Sequence, residues 1–158
     1  KTVGESKIII DKGAKPEDKP IWIEGPHIYS RNGFYYLMAA EGGTAEDHSE
    51  VVFRSKNILG PYKSYENNPI LTQRHLNSDR KNPITSTGHA DILEDKFGNW
   101  WGVFLGCRPY DKNDHFNTGR ETFMAPVKWI DNWPVFDLEG DVVKDKYTIT
   151  GTQKTKKI

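Results

Sequence analysis

A single cysteine, Cys107, stands among 158 residues, so no internal disulfide can brace this chain. Within the apolar run VFLGC it reads as a small buried hydrophobe. No run of 18 apolar residues and no signal-peptide pattern occurs, and since the first residue is Lys1 rather than methionine, the compartment stays open. Net charge is lacking as well. Lys plus Arg and Asp plus Glu number 22 each, so no global field draws the chain to nucleic acid or to an anionic membrane, and neither is expected as a partner. Helical periodicity is missing too, and the hydrophobic fraction is only 35%. Fourteen glycines and nine prolines interrupt the chain at short intervals, a composition that favours many short strands and turns in one domain.

The stretch from Trp22 to Thr44, WIEGPHIYSRNGFYYLMAAEGGT, holds the clearest local pattern. Asn32-Gly33 between two strand-like runs signals a hairpin, because both central residues of a type I′ turn need positive φ. Glu24 precedes Gly25-Pro26, a pair that marks where a strand begins sharply. The carboxylate therefore falls just ahead of the first hairpin strand, in a loop that a rigid sheet can hold against a ligand.

Along the rest of the chain, Ile8 to Ile10 and the charged loop after them read as the outer end of a preceding element. The run EVVFRSK alternates, with Val52 and Arg54 on one face and Val51, Phe53 and Ser55 on the other. A short strand fits at Tyr62 to Tyr65, and the Asn-, Pro-, Ser- and Thr-rich stretch from Asn67 to Thr87 reads as a connection. The pattern then restarts. Gly25 aligns with Gly88, Gly33 with Gly98 and Tyr35-Tyr36 with Trp100-Trp101. Such a repeat of strand, turn and aromatic strand suits four-stranded propeller blades, the other arrangement being an antiparallel sandwich. Residues 21–66 form one expected blade and 88–140 a second, joined by 67–87; residues 1–20 are the end of a preceding blade and 141–158 a tail or the start of the next element. The basic run Lys154 to Lys157 reads as part of that tail.

The motifs EGPHIY, NGFYYLMAAEGGT, RSKNILGPY, NPILT, TGHADI, GNWWGVFLG and GRETFMAPVKW, in this order, resemble glycoside hydrolase family 43. The resemblance runs from roughly Trp22 to Val135, nearest the branch with β-xylosidases and α-L-arabinofuranosidases. It implies an all-β fold, part of a five-bladed propeller with four-stranded antiparallel blades. It also implies a substrate of xylo-oligosaccharide or arabinose-substituted type. In the family two catalytic aspartates come from other blades and a glutamate general acid from the EGPHIY-type motif. Only the glutamate motif is present, so the chain resembles the C-terminal part of a catalytic domain, with missing N-terminal blades or another chain covering an open blade face.

Cleaving a glycosidic bond requires protonation of a poor leaving group, and an inverting enzyme places the acid and a carboxylate base about 6.5–9.5 Å apart. Glu24 is the candidate acid; like any acidic residue it could instead be a solvated surface group. His89, between the small Gly88 and Ala90, resembles the histidine at the centre of the family's propeller, beneath the sugar; the alternative is a histidine satisfied in a polar core. Asp91 falls on the same strand. Arg120 resembles a substrate-contacting arginine whose planar fork suits paired sugar hydroxyls or a carboxylate, against the alternative of an ion pair with Glu121 or another acid. Most aromatics are expected in the core, and Trp22 and Phe116 alone, being in loops, are candidates for sugar stacking. Glu41, Thr44 and His48 are candidates for the pocket edge. The resemblance implies no required cofactor and at most a structural calcium held through water at His89. A noncatalytic carbohydrate-binding or structural propeller remnant is the other function class.

Overall fold

The computed structural model describes residues 1, 3–111 and 115–148. Among the described residues nine strands form two antiparallel sheets. The first holds β1 (Ile23–Arg31), β2 (Phe34–Glu41), β3 (Ser49–Ser55) and β4 (Lys63–Ser64) in chain order, with β5 (Leu71–Thr72) also paired to β3. The second holds β6 (Thr85–Glu94), β7 (Trp100–Cys107), β8 (Glu121–Ile130) and β9 (Trp133–Phe136), again in chain order. Single 3-10 turns at Pro16–Asp18 and Glu139–Asp141 are the only helical elements among the described residues, so the chain is all-β.

The first hairpin turns at Asn32 and Gly33 with φ of 50° and 76°, the positive pair that a type I′ turn demands. The turn between β8 and β9 uses the same device at Asp131 and Asn132, φ 51° and 59°. Three boundaries differ from the sequence reading. β1 begins at Ile23 and carries Gly25-Pro26 inside it as a bulge, because the register shifts between Glu24 and His27. Gly25 takes φ 57°, and a proline without an N–H is tolerated at a bulge in an edge strand. β6 begins at Thr85, inside the stretch read as connection, since its threonines suit a pleated surface. The stretch ahead of β1 contributes no strand among its described residues; Ile9 and Ile10 instead pack on the outer face of the first sheet.

Pleat alternation sorts the side chains into two clusters. Tyr36, Met38 and Val52 face the second sheet and share a core with Ile92, Phe104, Val127, Trp133 and Phe136. Leu37, Ala39, Val51 and Phe53 face outward and are covered by Ala14, Ile9 and Ile10. Cys107 is buried. At one end of the junction the sheets are bound by aromatic and cationic contacts. The Arg54 guanidinium lies 4.1 Å from the Trp133 ring centroid and donates to the Asn132 carbonyl at 3.0 Å, and the Tyr36 hydroxyl donates to the same carbonyl at 2.8 Å. Tyr36 also meets Trp129 edge to face at 4.9 Å. Residues 149–158, including the basic run, lie outside the described residues.

β4 is only two residues long, and the buried Asn68 extends its ladder: Oδ1 accepts from Val52 N–H at 2.9 Å and Nδ2 donates to the Val52 carbonyl at 2.8 Å. The carbonyl has a second donor in Tyr65 N–H, whereas Val52 N–H depends on Asn68. Asn68→Ala is therefore expected to destabilise the protein by about 2 kcal/mol, the range for a buried donor left without an acceptor. Urea unfolding should show a lowered midpoint with an unchanged slope, and an unshifted midpoint would contradict this role.

Candidate functional site

At the end of the junction opposite the aromatic contacts, the inner face of the first sheet turns polar. Glu24 is opposite Ala40 and Ala40 is opposite Glu50, so the three form one transverse row on the face turned to the second sheet. With strands about 4.8 Å apart, the two glutamates stand two spacings from each other, roughly 10 Å between Cα atoms, with only an alanine side chain between them. His48 precedes β3 by one residue and shares the face with Glu50.

The second sheet answers with an irregular strand. The register of β6 shifts twice, between Thr85 and Gly88 and between Gly88 and Asp91, and Ser86 and His89 take φ of 53° and 56°. These bulges turn their backbone toward the first sheet. His48 Nδ1 lies 2.8 Å from the Ser86 carbonyl oxygen, which can only accept, so the ring proton is on Nδ1 and Nε2 is left as an acceptor. Glu50, wholly buried, accepts from the Ala90 N–H at 2.7 Å. Tyr29 donates to the Asp91 carboxylate and accepts from the Ile92 N–H at 3.0 Å, which ties β1 to the same bulge.

Two glycines set the distance of approach. A Cβ on Gly25 would stand 2.7 Å from His89 Cε1, and a Cβ on Gly88 would stand 2.7 Å from His48 Cδ2. Each glycine thus forms the floor under a histidine from the opposite sheet. These are the glycines that the internal repeat aligns.

Burial pushes the His48 imidazole below its ordinary range, the Ser86 bond opposes this, the charges of His89 and Arg120 lower it further, and Glu24 raises it. Glu24, His89 and Arg120 therefore lie within electrostatic reach of one buried ring. Arg120 immediately precedes β8, at the end of the second sheet where Thr85 pairs with Cys107 and Gly106 with Glu121. Among the described residues no ion pair joins Arg120 to Glu121, which bonds instead to Arg108 and Thr118. Trp22, two residues before Glu24, is 69% exposed with φ 41°, and Phe116 is 38% exposed in the loop before β8. Neither is drawn to the other by a ring contact among the described residues. Glu41 is corrected: it points to the outer face, buried, and its Oε2 accepts from the Ala14 N–H at 2.9 Å, so it holds the N-terminal segment and does not border the inner-face cluster. Thr44 is exposed beyond the end of β2. A cavity of about 650 Å³ opens beside the junction, lined by Asp79, Arg80, Tyr110, Thr118 and Glu121 among others, but not by Glu24 or His89. Among the described residues, no three His, Cys, Asp or Glu side chains gather as a metal site.

The model of the glycosyl hydrolases family 43 matches residues 1–134. The chain belongs to glycosyl hydrolase family 43. A xylosidase/arabinosidase of Butyrivibrio fibrisolvens is 44% identical over 85% of this chain and 25% of its own length. A non-reducing end alpha-L-arabinofuranosidase of Bacteroides ovatus is 45% identical over 78% of this chain and 23% of its own. Among solved structures, a GH43_12 retrieved from capybara gut metagenome superposes with a TM-score of 0.73 at 55% identity, over 82% of this chain and 23% of that one. The chain thus spans about a quarter of the length of the family 43 relatives it matches.

Glu50 was not singled out from sequence, although a signal for it existed. It shares the period-2 face of Val52 and Arg54, so the alternation that buries Val52 also buries Glu50. Its burial, followed by the nearby Asp91 and Glu41 charges, raises the carboxyl well above its ordinary 4.5, against the pull of the backbone bonds. The folded state therefore keeps a proton that the unfolded state releases as pH rises through 4.5, and stability contributed by this group is lost over that rise. Compared with wild type, Glu50→Gln should gain stability as pH rises above 4.5, by at most about 1.4 kcal/mol per unit, until the folded-state carboxyl ionises. Urea unfolding of both proteins from pH 4 to 8 measures this, and a difference that stays flat would contradict it.

Proposed function

We propose that this chain is the part of a family 43 glycoside hydrolase that carries the general acid, and that the whole enzyme cleaves β-xylosidic or α-L-arabinofuranosidic bonds in hemicellulose fragments with inversion. The observation that carries the reading is the placement of Glu24 on the inner-face row beside Gly25, with the His89 ring against that glycine and Arg120 in electrostatic reach of the same buried imidazole. The two sheets then serve as two blades of a five-bladed propeller whose other blades lie outside these 158 residues. Relatives that carry xylosidase and arabinofuranosidase names support the substrate class.

In this mechanism Glu24 gives its proton to the glycosidic oxygen as the sugar acquires oxocarbenium character. A carboxylate from another blade takes a proton from water on the opposite sugar face. The new C–O bond forms from that water as the bond to the leaving group breaks. His89 and Arg120 bind sugar hydroxyls, and Trp22 and Phe116 border the subsites. The His89 surroundings offer one imidazole and no group of three ligands among the described residues, so a calcium there would take most of its ligands from water, and no step passes through it.

Acid assistance typically contributes 10²–10⁴-fold, and it matters most where the leaving group is poor. In the complete protein Glu24→Gln should lower turnover of xylo-oligosaccharides by roughly that factor and turnover of nitrophenyl glycosides far less. The 158-residue chain alone should hydrolyse neither at a useful rate. Equal losses on both substrate types would show that Glu24 is not the acid, and sugar binding by the complete protein without any turnover would favour a noncatalytic role.

A further inference from the structure

His89 holds a backbone conformation that a residue with a Cβ adopts only when its surroundings over-determine it, φ 56° inside a bulge of β6. The group that determines it comes from the other sheet. Glu50 reaches across from β3 and accepts from the backbone N–H of Ala90, the residue after His89, at 2.7 Å. The His89 ring is thereby laid on Gly25, where no side chain larger than hydrogen fits, and Gly25 adjoins Glu24. A second path leads to the same place, since Glu50 and Glu24 close the two ends of one row across Ala40, which is itself buried.

We propose that Glu50 is the positioning residue of this site: its buried carboxyl group fixes the left-handed bulge at His89 and, through the His89 ring against Gly25, the place at which Glu24 meets the sugar. The inference rests on the acid role proposed for Glu24. An apolar residue at position 50 would continue the apolar inner face of Met38 and Val52, whereas a carboxyl group there supplies the acceptor that the Ala90 N–H of the bulge needs. Among the described residues Glu50 Oε1 has no hydrogen-bond partner, nor have His48 Nε2 just ahead of β3 and Thr87 Oγ1 on β6. Apolar packing does not account for such a group. The ionisable groups around this point are Glu24 from β1, His48 just ahead of β3, His89 and Asp91 from β6, and Arg120 ahead of β8, while Glu41 of β2 acts on it by charge alone, from the outer face of the first sheet.

The test uses the complete enzyme and three variants. Glu50→Gln keeps an acceptor at the same reach, Glu50→Asp withdraws it by one methylene, and Glu24→Gln is the reference for loss of the acid. The readouts are kcat and KM on xylobiose and on a nitrophenyl xyloside, the pH dependence of kcat, and the NMR signals of the His89 ring. Glu50→Asp is expected to lower kcat on xylobiose at least tenfold with KM within twofold, to lower it less on the nitrophenyl substrate, and to displace the alkaline limb of the kcat profile. Glu50→Gln should recover most of the xylobiose rate, with His89 signals as in wild type. A loss equal on both substrates, an unmoved alkaline limb, or a Glu50→Gln rate as low as that of Glu50→Asp overturns the proposal. If Glu24→Gln shows no dependence on leaving group, the acid assignment fails by itself. The His89 signals then decide for Glu50: displaced in Asp and not in Gln, they support the positioning of His89; unmoved in both, they overturn it. Should Glu50→Asp not fold, a wild-type rate and His89 spectrum in Glu50→Gln support the proposal, and a tenfold fall in kcat there overturns it.

Discussion

The approach of two β-bulges is the constraint on which the rest of this structure depends. A sheet with regular pleat offers a neighbouring sheet only side chains, and the ladder consumes its backbone groups. At Gly25-Pro26 in β1 and across Ser86 to Ala90 in β6 the ladder is interrupted, and backbone N–H and C=O groups become available to the other sheet. His48 uses the Ser86 carbonyl, Glu50 uses the amide of Ala90, and Tyr29 uses the amide of Ile92. All three come from the first sheet and all three bind the same irregular strand. Glycine is required where the histidines cross, because Cβ atoms at 25 and 88 would overlap the opposing rings.

The two ends of the junction have different physical characters. At the end of Arg54, Tyr36 and Trp133, rings and guanidinium groups stack, and among the described residues Trp129 Nε1 is the one buried polar side-chain atom there without a partner. Aromatic pairs of this kind contribute about 0.5–1.5 kcal/mol beyond the area they bury. At the end of Glu24, His48 and Glu50, buried polar atoms remain without a protein partner. Each such atom costs about 1–3 kcal/mol, and three of them are comparable with a good part of a domain's net stability. Among the described residues three such atoms lie at the polar end and one at the aromatic end, so protein contacts satisfy the aromatic end more fully. That asymmetry agrees with an aromatic end that holds the sheets together and with the binding role proposed for the polar end.

Much of this architecture is legible in the sequence, because it depends on local chemistry. Asn32-Gly33 announces its turn by the need for positive φ, and the alternation in EVVFRSK assigns both faces of β3 correctly. The repeat of Gly25 and Gly88 points to equivalent places in the two sheets, although as bulges within strands and not as strand starts. What escapes is long-range. Glu41 and Glu50 lie nine residues apart in chain with similar surroundings in sequence, yet one faces outward to Ala14 and the other inward to Ala90. Glu41 looks like a strand-end charge at the pocket edge until the pairing of β1, β2 and β3 shows which face it takes. Glu50 looks like the charge that begins a strand, and its part in the site becomes visible only when β6, forty residues on, is laid against it.

The most direct test of the account is a crystal structure of the complete family 43 protein, in a Glu24→Gln form, with a xylo- or arabino-oligosaccharide bound. The side-chain amide at position 24 should stand about 3 Å from the glycosidic oxygen, within the reach required of a general acid. His89 should lie beneath the same sugar with its ring still on Gly25, and Arg120 at the sugar's edge. A sugar bound away from the bulge junction, or a position-24 side chain turned from the scissile oxygen, would contradict the claim that the two bulges assemble this site.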